Sequence, residues 1–119
     1  MKPYDENNIF AKILRGDIAC DKIYEDDHVL AFHDKFPIRP VHVLIIPKKA
    51  YTDVRSFGEQ GSDAELAAIM RAVPKVAEIM GVKKDGFRLI ANTDEHGNQQ
   101  VPHLHFHLIG GEALGKMVS

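Results

Sequence analysis

Between Val101 and Ile109 the chain reads Val-Pro-His-Leu-His-Phe-His-Leu-Ile, and from His103 on, apolar and histidine side chains alternate. Successive side chains of an extended backbone leave opposite faces, so a strand here puts His103, His105 and His107 on one face and Leu104, Phe106 and Leu108 on the other. The helical period would scatter both sets. The segment therefore predicts a strand over 101–109 with one face in an apolar core and the other carrying three of the chain's seven histidines.

The rest of the chain supplies partners for such a strand. Lys22–Glu25 and Val29–His33 are β-prone runs separated by Asp26 and Asp27, a hairpin pattern. Val41–Ile46 is almost continuously apolar and reads as a central strand buried on both faces, bracketed by Pro40 and Pro47. Phe87–Ala91 follows the Asp85-Gly86 turn and reads as a further strand. Two helices are expected. Ile9, Phe10, Ile13 and Leu14 recur at helical spacing before Gly16, and Leu66, Ile69, Met70, Val73, Ala77 and Met80 do so after a Ser62/Glu65 capping box and before Gly81. Pro74 falls inside the second pattern and predicts a kink or a break. The order helix, three strands, helix, two strands lacks regular βαβ alternation. It predicts one α+β domain over residues 1–119 built on an antiparallel sheet.

Composition narrows the function classes. A net charge of −2 disfavours a surface for nucleic acid, which needs clustered Lys and Arg. No run reaches the roughly 18 apolar residues of a membrane helix. The acidic start MKPYDENNIF lacks the basic opening of a secretory signal, and the single cysteine, Cys20, has no partner for an internal disulfide. A cytoplasmic protein with a small-molecule ligand is expected, and so small a domain leaves surface that a dimer could cover.

Three chemistries suit the histidine row. The imidazoles can be structural, each satisfied by a core or solvent hydrogen bond. They can hold a metal, since alternate strand residues present two rings to one ion; but His103 and His107 stand roughly 13 Å apart on a strand and cannot easily share it, so His42 would have to contribute. Or a neutral imidazole can act as nucleophile while its neighbours fix its tautomer and bind charge.

The pattern His103-Leu104-His105-Phe106-His107-Leu108-Ile109 resembles the signature of the histidine-triad superfamily. Ile9-Phe10-Ala11-Lys12-Ile13, Tyr24-Glu25-Asp26-Asp27, Leu30-Ala31-Phe32-His33-Asp34, Pro40 to Lys48 with His42, and Gly110-Gly111 with Leu114-Gly115 are similar in order and spacing to its Hint-like branch. The resemblance implies a five-stranded antiparallel sheet with two helices, dimerising through the long helix and a strand into a ten-stranded sheet. It also implies attack by His105 on a nucleotide α-phosphorus to give a nucleotidyl-histidine, with no metal or other cofactor. His107 would then bind the phosphate or help the leaving group, and His103 and His42 would orient and polarise His105.

Other roles follow from the same resemblance. Asp34 matches the acceptor of the ribose hydroxyls, and His33 beside it is a further candidate for nucleotide binding. Ile9, Phe10, Ile13, Ile18 and Phe32 resemble the apolar pocket for the base. The polar loop 92–100 runs into the histidine strand, so Asn92, Gly97, Asn98 and Gln99 are candidate donors to phosphate oxygens. Four positions depart from the pattern. Gln100, a further nucleotide-binding candidate, stands where relatives often have a small hydroxyl residue, Asn8 and Ala11 stand where some carry a CxxC zinc pair, and Glu112 replaces a frequent Arg. The expected function is hydrolysis of purine nucleoside 5′-phosphoramidates. The alternatives are dinucleoside polyphosphate hydrolysis and a nucleotide-binding regulatory protein with incidental activity.

Overall fold

Every segment expected to be extended enters one antiparallel sheet in the structure, a computed structural model that describes residues 3–118. The elements in chain order are α1 (Ile9–Leu14), β1 (Lys22–Glu25), β2 (Val29–His33), β3 (Val41–Pro47), α2 (Val54–Gln60), α3 (Asp63–Ile79), β4 (Phe87–Ile90) and β5 (Phe106–Gly110). The sheet order is β1-β2-β3-β5-β4, so the last strand inserts beside the central one and β4 is left at an edge. β3 is buried at every position because it has neighbours on both sides and helices over both faces.

Strand parity divides the core in two. Val29, Ala31, Val41, Val43 and Ile45 pack with Leu104, Phe106 and Leu108 under Ile69, Ala72, Val73 and Val76 of α3. On the opposite face Leu30, Phe32, Leu44 and Ile46 pack against Phe10 of α1. Leu44 pairs with His107 across β3 and β5, so the histidine face of β5 is the face that α1 covers.

The helix ends obey their local signals. The Asn8 side chain accepts from the Ala11 N–H at 2.9 Å and caps α1, so the two positions compared above with a CxxC pair here make a helix cap. Ser62 and Glu65 form the expected reciprocal box on α3, and Tyr51 Oη also donates to the Glu65 carboxylate at 2.8 Å.

Five expectations are corrected. The described residues form three helices, because Asp53 and Ser56 make a capping box that starts α2. α3 runs through Pro74 unbroken; the proline is exposed, so its ring lies on the solvent side of the helix. β4 ends at Ile90, and β3 extends to include Pro47. Finally, β5 begins only at Phe106. Pro102 has no N–H to offer a ladder, and the Leu104 N–H is diverted to the Tyr51 carbonyl at 2.7 Å.

Candidate active site

Although residues 101–105 lie outside the ladder, they keep the alternation: Leu104 is fully buried in the α3-side core, and His103 and His105 pack edge-on against Phe10, with ring centroids 6.3 and 4.9 Å away. The His105 and His107 rings are 5.0 Å apart. The three histidines thus share one side of the sheet, held by β5, by the strap through Tyr51 and by the aromatic ring of α1.

Hydrogen bonds settle where each proton sits. His103 is fully buried, and burial pushes its pKa down to about 4, so the ring is neutral near pH 7. Its Nε2 lies 2.9 Å from the Pro47 carbonyl, which can only accept, so Nε2 carries the proton. Its Nδ1 must then accept, and the Tyr4 hydroxyl donates to it at 2.6 Å. His105 Nδ1 lies 2.8 Å from the main-chain carbonyl of His103, so Nδ1–H donates there and the Nε2 lone pair is bare. Burial lowers the His105 pKa as well, which keeps that lone pair available. Among the described residues no buried side-chain nitrogen or oxygen lacks a partner, and His105 Nε2 has none, so this atom faces solvent.

A second chain of bonds orients His107. The Ile38 N–H donates to His42 Nδ1 at 3.2 Å, which leaves the proton of His42 on Nε2. That Nε2–H points to His107 Nδ1, 2.9 Å away, with Asp34 Oδ2 at 3.4 Å from the same atom. His107 accepts at Nδ1 and therefore holds its own proton on Nε2. Burial, reinforced by the neighbouring His105 and His42, pushes the His107 pKa down to about 4. The site thus presents one bare imidazole nitrogen on His105 and one N–H donor on His107.

This arrangement corrects one expected role. His42 touches His107 and not His105, because it lies on β3 beside β5, whereas His105 precedes the strand. His103 does meet His105, through its backbone carbonyl and not its ring. Asp34, His42 and His107 bring their ligand atoms within 4.8 Å of one another, so the one histidine-rich cluster among the described residues that could hold a metal draws a single residue from the His-x-His-x-His row. Its donor set fits an ion poorly: a metal on His42 Nε2 would move the proton to Nδ1, against the Ile38 N–H.

The other candidates divide. Asp34 sits beside His42, its Oδ1 accepting from the Phe36 N–H at 2.7 Å. His33 pairs with Val43, so its side chain leaves toward the face opposite the histidines, where Nε2 is 3.9 Å from Asp21, and that corrects its place among the nucleotide-binding candidates. Phe10 and Phe32 stack edge to face at 5.7 Å in the core beneath the site, Ile13 packs beside them, and Ile9 and Ile18 are exposed. Of the loop, Asn92 is half-buried, and Asn98 and Gln100 are exposed. The main-chain N–H groups of Gly97, Asn98 and Gln99 are spent on Thr93, Glu95 and Asp94 carbonyls, and the Gln99 amide donates to the Thr52 and Val101 carbonyls. These groups brace the loop, and that corrects their reading as free donors. Glu112 lies 3.8 Å from Arg39. Sequence reasoning missed Tyr4 and the Ile38 amide, whose roles depend on contacts that no local pattern announces.

A model of the HIT domain family matches residues 15–114. The chain is 48% identical over 118 residues to an uncharacterized 13.2 kDa HIT-like protein of Azospirillum brasilense, covering 99% of this chain and 97% of that one. It is 43% identical over 114 residues to the purine nucleoside phosphoramidase of Escherichia coli K12, covering 96% and 95%. Among solved structures it superposes on a HIT family hydrolase from Clostridium thermocellum with a TM-score of 0.85 at 38% identity, covering 97% and 99%. A histidine triad protein from Clostridium difficile gives a TM-score of 0.83 at 38% identity, covering 98% of each chain. With its fold, its histidine row and most of its length matched in this way, the chain belongs to the HIT domain family.

Proposed function

We propose that this protein is a metal-independent hydrolase of purine nucleoside 5′-phosphoramidates that works through a nucleotidyl-histidine. The observation that carries the reading is the His105 Nδ1 to His103 carbonyl bond of 2.8 Å, which leaves a bare Nε2 facing solvent. That nitrogen attacks the α-phosphorus, the P–N bond to the amine breaks, and the departing nitrogen takes a proton from solvent. The His103 carbonyl stabilises the positive charge that develops on the His105 ring. Water then attacks phosphorus, releases the nucleoside monophosphate and restores neutral His105.

His107 is neutral near pH 7 and donates from Nε2, so its part is to bind a phosphate oxygen through both steps rather than to deliver a proton. The Asn92 and Gln100 side chains complete the phosphate contacts, Asp34 accepts from the ribose hydroxyls, and the base lies over Phe10, Phe32, Ile9, Ile13 and Ile18. The resemblance to a purine nucleoside phosphoramidase supports the choice of substrate.

We also propose that the chain, a single domain over residues 1–119, acts as a cytoplasmic homodimer. The edge position of β4 and the exposed Met70 and Ile79 on α3 support joining two sheets through these elements. No helix among the described residues is long and apolar enough to cross a membrane. The test is a comparison of kcat/KM for an adenosine 5′-phosphoramidate and a diadenosine polyphosphate. Preference for the former supports the proposal, and preference for the latter refutes it.

A further inference from the structure

The N-terminal segment reaches the catalytic row through one side chain. Tyr4 Oη lies 2.6 Å from His103 Nδ1, across 99 positions of sequence, and the two rings meet edge to face with centroids 5.6 Å apart. Both polar atoms of the His103 ring are thereby spent, since Nε2–H already goes to Pro47. His103 is fully buried, and the described residues offer its Nδ1 no donor other than Tyr4. Tyr4 lies outside residues 15–114, which the family model covers.

We propose that Tyr4 is a positioning residue for the nucleophile: its hydroxyl locks the His103 ring, and the locked residue holds the carbonyl that fixes the tautomer of His105. The coupling is mechanical and short. Ring and carbonyl belong to one residue, the ring is pinned at both nitrogens, and the carbonyl accepts the His105 Nδ1–H at 2.8 Å. Without the hydroxyl, a buried lone pair is left without a donor, and the ring must turn or admit water. Either change moves the carbonyl off His105 Nδ1 and lets the proton settle on Nε2, the atom that has to attack. Tyr4 touches no reacting atom; it acts through His103.

This inference rests on the reading of His105 as nucleophile, and its test separates the two. In Tyr4→Phe, kcat on an adenosine 5′-phosphoramidate should fall about tenfold with KM within about twofold, since one unsatisfied buried acceptor costs about one factor of ten. Imidazole nitrogen NMR at pH 7 should show His105 changing from a pure Nδ1–H tautomer in the wild type to a mixture in the variant, with the unfolding temperature marking both as folded. An unchanged kcat, a change confined to KM, or a His105 that keeps one tautomer in the variant would overturn the role of Tyr4. If the wild type fails to turn the phosphoramidate over, the functional reading fails, and the NMR comparison still decides whether Tyr4 governs His105.

Discussion

His42 Nε2 and His107 Nδ1 lie 2.9 Å apart, and the direction of the proton between them is set from the far side of His42, where Nδ1 accepts the Ile38 N–H. A main-chain amide thus decides, two rings away, that His107 points a donor into the site. The His103 carbonyl does the complementary service for His105 and bares its lone pair. Two imidazoles on one side of the sheet acquire opposite characters from two backbone groups, with no charged partner in hydrogen-bond contact with either ring.

If His107 binds a phosphate oxygen and does not protonate the leaving group, His107→Ala should lower kcat about a hundredfold, to the same extent for an alkylamine and an arylamine leaving group. A series of phosphoramidates graded by amine basicity checks this. A loss that grows with the basicity of the amine would show that His107 acts as the general acid. His42→Ala should cost less, about tenfold, because His107 keeps its Nε2–H tautomer part of the time.

Stability should fall as the solution is acidified through a defined window. His103 and His107 have folded pKa values of about 4 against about 6.5 when unfolded, so between these values the unfolded chain binds protons that the folded chain refuses. Stability from this source is complete above pH 6.5 and is lost as pH falls toward 4. At pH 5 the fully buried His103 alone should remove about 2 kcal/mol, and half-buried His107 adds less because solvent screens it. Urea unfolding at pH 7 and pH 5 measures the difference; equal stabilities would contradict the buried, neutral assignment.

The loop before the histidines is held by Gln99, whose amide nitrogen donates to Thr52 and Val101 and whose oxygen accepts from the Asp94 N–H at 3.0 Å. Gln99→Glu keeps the acceptor but turns a carboxylate oxygen toward two carbonyls. It should destabilise the fold by about 2 kcal/mol, read by chemical denaturation. Gln99→Met, which leaves the carbonyls unpaired without adding charge, should cost less. The reverse order would show that Gln99 is not a brace.

Much of the sheet was legible because its signals are local. The hairpin of Lys22–Glu25 and Val29–His33, the apolar run of β3 and the Ser62/Glu65 box each need only a few neighbours to be read. The face assignment of the histidines also held, since parity survives where the ladder does not. Other features were hidden for physical reasons. α2 is short, contains Gly58 and announces itself only through an Asp53/Ser56 box. The strand expected from Val101 lost its first five residues to competing bonds: Leu104 N–H goes to Tyr51, and Pro102 has no N–H. At the site, the rings that matter were readable, but the groups that set their tautomers were not. Ile38 acts through its amide, His103 through its carbonyl and Tyr4 across nearly the whole chain, and none of these leaves a mark in side-chain pattern.

The central claim is that His105 Nε2 takes the nucleotide. The most direct measurement is a single turnover with excess enzyme and an adenosine 5′-phosphoramidate, quenched in alkali to preserve the phosphorus–imidazole bond and mapped by peptide mass spectrometry. An adenylyl group is expected on the peptide that holds His103, His105 and His107, assigned by fragmentation to His105, with no adduct or turnover in folded His105→Ala. An adduct on His103 or His107, or turnover that persists in His105→Ala, would contradict it.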